Sequence, residues 1–319
     1  MTFEVKRGTR DAYGETLAKL GSEDPRIVVL TADLAGSTKT GVFAAEHPER
    51  FFNMGVAEAN MIGTAAGLAL SGFRPFVSTF AMFATGKVWE QIRQVLAYPK
   101  TPVRIVATHA GLTVGEDGAS HQMLEDIGNM RVLPNMSVIV PADAVEAEGA
   151  IRFVAAYDEG PVYVRLARAP FPVIHGDDHR FEFGKAEVLA QGTDITIAAC
   201  GLMVSVALEA RDALADDGIS AEVINVSTIK PLDRDTLLAS ARKTGVVVTA
   251  EEHQITNGLG SAVCELLSEE EPTRVVRVGV DDRFGQSGTA DALLAHYGLD
   301  VDGLVAAAKQ ALSVSGSPA

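Results

Sequence analysis

The longest apolar runs in this chain are strand-sized, and each is followed by a stretch long enough for a helix, which restricts the fold to layered α/β architectures. Ile27–Leu30 ends at Thr31–Ala32–Asp33 and reads as a buried strand feeding a loop. Residues 58–71 carry small and apolar residues at helical spacing and stop at Gly72. Residues 74–78 are strand-like, 82–97 are helical, and 103–108 form another β-branched run. Val138–Val140 ends at Pro141, and Asp143 is placed to N-cap a helix that runs to about Tyr157. Strand character resumes over 161–166. This alternation predicts a mostly parallel sheet covered by helices on both faces.

Residues 169–185 break the pattern, with two prolines, two glycines and two histidines and no periodicity, as a linker would. The alternation then restarts, with strands near 194–199, 221–226, 245–250 and 274–279 and a last helix near 301–312. The expected fold class is therefore α/β in two domains, each a mostly parallel sheet flanked by helices: 1–168, a linker at 169–185, and 186–319. A length of 319 residues suits two domains.

Runs such as Ile195–Cys200 and Val246–Ala250 are far too short to cross a bilayer, and the N-terminus has no apolar stretch of the signal-peptide kind. No membrane association is expected. The formal net charge of −15 is spread along the chain without a basic patch, which argues against a nucleic-acid role. Two isolated cysteines, Cys200 and Cys264, lie in apolar stretches and read as buried thiols, which fits a reducing cytoplasm.

Several residues could carry chemistry. His109, Asp117 and His121 lie in VATHAGLTVGEDGASHQ, just after a strand, where open α/β sheets bind ligands. Gly111, Gly115 and Gly118 let that backbone turn tightly, and the histidines and carboxylates could do acid–base work. A solvated loop with an Asp-Gly turn is the other reading of the same residues, and the spacing matches no common zinc pattern. Glu58 begins a small-residue helix, either complementing the helix dipole or held for a specific proton. Phe80 and Phe83 have core-like helical spacing. Arg10, Ser37, His109 and Arg168 fall at loops or strand ends, as surface polar residues or as groups gathered around an anion.

Taken in order, ADLAGS (32–37), NMGVAEANM (53–61), GFRPFVSTFAMF (72–83), the 108–122 loop, LPNMSVIVPAD (133–143), GPVYVRLAR (160–168) and EEHQITNGLG (251–260) give the chain its character. Over nearly its full length it resembles the C-terminal half of transketolase, a thiamine-diphosphate enzyme. The resemblance implies a pyrimidine-binding domain at 1–168 and a transketolase C-terminal domain at 186–319. Glu58 matches the glutamate that hydrogen-bonds N1′ of the coenzyme's aminopyrimidine, where proton sharing favours the imino tautomer that takes the proton from C2 of the thiazolium. It is expected in a mainly apolar setting. Phe80 and Phe83 match the aromatics enclosing that ring. Asp117 matches an aspartate that reads a substrate hydroxyl, and His121 the histidine beside the reacting carbonyl. Arg10, Ser37, His109 and Arg168 match positions that hold the phosphate of a sugar. His109, His121 and Glu58 form the expected catalytic set.

Two departures bear on function. Where the family usually has a third aromatic, three residues beyond the second Phe, this chain has Gly86. The Gly-Asp-Gly sequence with a following Asn, which binds Mg²⁺ and the diphosphate in the family, is missing; the nearest candidate is Glu116–Asp117–Gly118 in the substrate loop, so no metal ligands are assigned to this chain. Met1 and the polar tail Ser313–Ala319 read as natural ends, which favours a subunit over a fragment. The resemblance then implies a heterotetramer of two such chains with two N-terminal-half subunits that carry the diphosphate and Mg²⁺, with each coenzyme bridging neighbouring chains. Related alternatives are half of a 1-deoxyxylulose-5-phosphate synthase and the beta subunit of a 2-oxo-acid dehydrogenase. The phosphate-site set and the paired phenylalanines favour transketolase. A non-catalytic protein that kept the fold is the alternative from another class.

Overall fold

The computed structural model describes residues 5–315; Met1 and residues 316–319 of the expected natural ends lie outside them. The strands of the first half are β1 (Lys6–Arg7), β2 (Ile27–Thr31), β3 (Phe51–Asn53), β4 (Arg74–Ser78), β5 (Arg104–Ala107), β6 (Ser137–Ile139), β7 (Val162–Arg165) and β8 (Phe171–Pro172). The second half supplies β9 (Glu187–Ala190), β10 (Ile195–Ala199), β11 (Ala221–Asn225), β12 (Thr228–Lys230), β13 (Val246–Gln254) and β14 (Arg274–Val280).

Two large, mostly parallel sheets organise the described residues, beside a two-stranded antiparallel pair of β1 and β8. The first runs β12-β6-β7-β5-β4-β2-β3, with only the β12–β6 pair antiparallel. The second runs β14-β13-β10-β11-β9, with only β9 antiparallel. Strands β2, β5, β7, β10 and β11 are buried along their whole length, which is why β2 and β10 read as nearly unbroken apolar runs and the few polar residues in β5, β7 and β11 are buried too.

Helices cover both faces of the first sheet. On one, the helix Thr9–Glu23 packs Tyr13 and Leu17 beside Ile151 and Val154 of the helix Ala144–Ala156. On the other, the helix Glu58–Leu70 buries Met61, Ile62 and Ala65 beside Ile92 and Leu96. That second core continues through Val226, Ile229, Leu259 and Val263, so the two domains share one apolar cluster. A further core, with Ile197, Val204, Leu208, Val248 and Leu304, belongs to the second sheet.

Asp143 caps the helix Ala144–Ala156 as its sequence position suggested, its Oδ1 accepting from Glu146 N at 2.8 Å. Other details differ from the linear reading. The segment 82–97 is helical but made of two π-helical turns around a short α-helical piece, Trp89–Gln91. Strand β12 comes from the second half of the chain yet completes the first sheet, since its edge pairing with β6 satisfies backbone groups that would otherwise end unpaired. The expected linker is firmly docked. β8 pairs antiparallel with β1, and Phe181 and Phe183 lie 5.8 and 4.7 Å, ring centre to ring centre, from Phe153. Among the described residues no helix is long and apolar enough to cross a membrane.

Candidate active site

The carboxyl ends of β2, β4, β5 and β7 bring the candidate residues together. Beyond β4 and β5 the two chains stay paired for one more step, with Phe80 bridged to Thr108 and Ala81 N donating to Thr108 O. This lays the Phe80 ring on His109, with ring centres 3.8 Å apart and planes 18° from parallel. His109 reaches that position with φ 58°, a left-handed conformation uncommon for a non-glycine residue. Phe83, one helical turn on, stacks against Phe80 at 6.1 Å and 16°. His121 meets both phenylalanines edge-on, at 6.3 and 5.6 Å.

The cationic residues arrive from two other places. Ala167 N donates to Thr9 Oγ1 at 3.1 Å, pinning the start of the first helix to the end of β7. Arg10 and Arg168 thereby come close enough for each guanidinium to lie in the other's field. Arg10 donates to the backbone carbonyl of Ser37 at 3.0 Å, while its Nε is buried without a partner. Arg168 donates to Val114 O at 2.6 Å and to Glu116 at 2.7 Å. His109 is buried beside this pair, its Nδ1 2.8 Å from Thr108 Oγ1. Burial, with the charges of Arg10 and Arg168 adding to it, pushes its pKa down to about 3, so the imidazole is neutral at physiological pH. Two cations, a neutral imidazole and an orphaned guanidinium N–H make a cradle suited to an anion.

Glu58, at the start of its helix, is 2% exposed. A mainly apolar setting was expected, and it also holds a cation: Lys87 Nζ lies 2.5 Å from Glu58 Oε2 and 5.9 Å from the centre of the Phe83 ring. A single ammonium therefore links the buried carboxyl to the aromatic stack. Asp117 is exposed on the loop that follows β5, between Glu116, which pairs with Arg168, and Gly118, which packs on Ser287.

The transketolase pyrimidine binding domain matches residues 6–172, and the transketolase C-terminal domain matches residues 184–304. The chain belongs to the transketolase family. A Methanocaldococcus jannaschii protein provisionally named transketolase C-terminal section is 52% identical, over 93% of each chain. The 6-deoxy-6-sulfo-D-fructose transketolase subunit of Clostridium sp. strain MSTE9 is 43% identical, over 97% of this chain and 96% of its own. A solved split gene transketolase, described as an inactive beta4 tetramer, superposes with a TM-score of 0.90 at 54% identity, over 96% of this chain and 98% of its own.

At Gly86, where the family usually has a third aromatic, two methionines lie against the backbone. A side chain added at Gly86 would first meet Met82 Cε at 3.3 Å and Met123 Cε at 3.6 Å. Residues not singled out from sequence also shape the site. Lys87 is one; its only signal is the spacing from Phe83, which carries no charge information. Gln122 is another, donating to Leu112 O and Gly115 O at 3.2 Å and to Gln286 O at 2.9 Å. Glu252 is a third. It lies in β13, which runs past the strand end expected near 250, and it accepts from Thr113 N at 2.6 Å. Gly111, at φ 82°, runs so close to that carboxylate that a Cβ would come within 2.4 Å of it. The second domain thus holds the loop of the first in place.

Proposed function

We propose that this chain is the coenzyme-activating half of a split transketolase, transferring a two-carbon ketol unit from an anionic ketose to an aldose together with an N-terminal-half subunit. The observation that carries the reading is one edge holding a buried carboxyl, a phenylalanine stack and a two-arginine cradle, all on the pyrimidine-binding domain. On this reading the chain divides at 1–168, 169–185 and 186–319.

The residues suit an aminopyrimidine. Glu58 offers a water-excluded carboxyl for a ring nitrogen, and Phe83, partly open, offers an aromatic face beside it. Bound thiamine diphosphate would supply the carbon nucleophile for ketol transfer. Glu58 would then hold a proton at the pyrimidine ring, with Lys87 giving up the carboxylate oxygen it now occupies. His121 and His109, edge and face of the same stack, would move or hold protons on the substrate oxygens. Asp117 would read a sugar hydroxyl from its exposed position. Arg10, Arg168, His109 and the Ser37 segment would hold the distal anion. Either a phosphate or a sulfonate satisfies these donors, and the Clostridium relative is named for a sulfosugar.

Mg²⁺ and the diphosphate are assigned to the partner subunit. In the nearest Gly-Asp-Gly-like stretch, Glu116–Asp117–Gly118, Glu116 is committed to Arg168 and Asp117 is assigned to the substrate. The relative described as an inactive tetramer of beta chains is in keeping with a site that needs a second subunit. The proposed assembly is a heterotetramer working in the cytoplasm.

The deciding experiment is reconstitution. Ketol transfer from fructose-6-phosphate, xylulose-5-phosphate and sulfonated ketoses is measured for this chain, for an N-terminal-half transketolase subunit from the same organism, and for the two mixed with Mg²⁺ and coenzyme. Activity is expected only from the mixture. Robust activity from this chain alone would refute the half-site reading, and turnover of pyruvate in preference to any ketose would refute the substrate class.

A further inference from the structure

Away from the aromatic stack, the segment joining the two domains folds His175 and His179 over the start of the helix Ala144–Ala156. Asp143, which caps that helix through Oδ1, uses Oδ2 to accept from the backbone N–H of Ile174 and of His175, each at 2.8 Å. The same oxygen lies 3.0 Å from His175 Nδ1. The ring of His175 is therefore fixed in orientation, with Nε2 turned to the other side.

On that side His175 Nε2 is buried without a hydrogen-bond partner, and so is His179 Nε2. The two rings lie 4.0 Å apart. Glu187, on β9 of the second sheet, places Oε2 3.3 Å from His175 Nε2 and 3.6 Å from His179 Nδ1. Glu146, one turn into the helix, is buried, and a ligand atom from each of Glu146, His175 and His179 lies within 4.8 Å of the others.

The 3.3 Å separation of His175 Nε2 from Glu187 bears on what this cluster does, while the 3.6 Å to His179 Nδ1 and the 4.8 Å span of Glu146, His175 and His179 leave ligands that would draw in around an ion. A charge-assisted N–H···O bond has a length of about 2.7–2.9 Å, shorter than either contact to Glu187. The edge of a tetrahedron built on metal–ligand bonds of about 2.0–2.1 Å is roughly 3.3–3.4 Å. We infer that Glu146, His175, His179 and Glu187 form a binding site for a divalent transition-metal ion, with Zn²⁺ as the ion that two imidazoles and two carboxylates suit best.

Asp143 supplies what such sites use to orient a ligand, a carboxylate on the far nitrogen of the imidazole. Glu146 has capacity left: its oxygens accept from Ala142 N, Asn225 Nδ2 and the Ser227 side chain, and the two oxygens of a carboxylate offer about four acceptor sites. Four ligands leave no open position for substrate, so the ion is structural. Its ligands come from the first domain's helix, the joining segment and β9, so it would clamp the joint between the domains. Nothing in this site depends on the function proposed above.

The test uses the untagged full chain, stripped with EDTA, exposed to Zn²⁺ and dialysed into metal-free buffer. About one zinc per chain is expected by mass spectrometry, with a rise in Tm that EDTA reverses. The Co²⁺-loaded chain should show the strong visible bands of a tetrahedral ion. His179→Gln and Glu187→Gln, both at partly exposed positions, should match the wild-type Tm in EDTA and bind zinc at least about tenfold more weakly. No retained zinc, an octahedral Co²⁺ spectrum, or wild-type retention by both variants would each overturn the site and leave His175 as an imidazolium shared among carboxylates.

Discussion

Lys87 places its ammonium 2.5 Å from the carboxylate of Glu58, a residue on a different helical segment and almost wholly buried. The lysine is half exposed, so one end of the pair is dry and the other wet. It also reaches over Phe83. The pair therefore stands where a pyrimidine would have to enter, and coenzyme binding and breaking of the ion pair are expected to compete.

Removing the competitor should show it. Lys87→Met in the reconstituted complex is expected to tighten coenzyme binding by about two- to fivefold, the worth of a partly exposed ion pair of about 0.5–1 kcal/mol. Isothermal titration with thiamine diphosphate measures it. Weaker binding would mean that Lys87 itself holds the coenzyme.

Loss of the carboxyl should be far more costly. Glu58→Ala is expected to reduce kcat at least about 100-fold, the usual scale for a positioned proton-transfer group. The thermal unfolding profile serves as the control for folding. Ketol transfer within a few-fold of wild type would remove Glu58 from the mechanism.

The anion cradle makes a prediction about selectivity. Arg168→Ala deletes one charged donor to the phosphate, worth about 1.5–3 kcal/mol, and should raise KM for a phosphorylated ketose roughly 10- to 100-fold. The same variant should change KM for a neutral ketose little, so the ratio of the two isolates anion recognition from general damage.

His109 ties the cradle to acid stability. Its folded pKa of about 3 lies below the ordinary 6.5, so the unfolded chain binds the proton more readily. The stability contributed by neutral His109 is fully present above pH 6.5 and is lost as pH falls from there toward 3. Within that window the loss is up to about 1.4 kcal/mol per pH unit. His109→Asn should flatten the slope of urea-unfolding free energy between these limits, and an unchanged slope would contradict the assignment.

Between the domains, Asp126 is completely buried and accepts from Tyr163 Oη at 2.6 Å and Arg165 Nε at 2.7 Å, while Arg165 also donates to Glu252 O at 2.8 Å. Arg165→Leu would leave that carboxylate without its cation, which costs about 3–5 kcal/mol. Chemical denaturation should show a loss of this size, reduced in the Asp126→Asn, Arg165→Leu double variant.

The linear pattern determined the elements of this protein because each buried parallel strand must be a short apolar run, and each covering helix must carry a spaced apolar face. Ile27–Leu30, residues 58–71 and the Asp143 cap were legible for that reason. The motif residues Glu58, Phe80, Phe83, His109 and His121 were singled out by the family resemblance and not by that pattern, which read them equally well as cap, core or loop residues. Only the tertiary structure decided what meets them. Lys87 on Glu58, Glu252 under Gly111, Met123 beside Gly86 and β12 in the first sheet all join residues far apart along the chain. Such contacts are set by how strand ends and loops converge in space, and local propensity carries no trace of that convergence. The same holds for His175 and His179: in the sequence they punctuate a linker, and in the fold two carboxylates from different domains close around them.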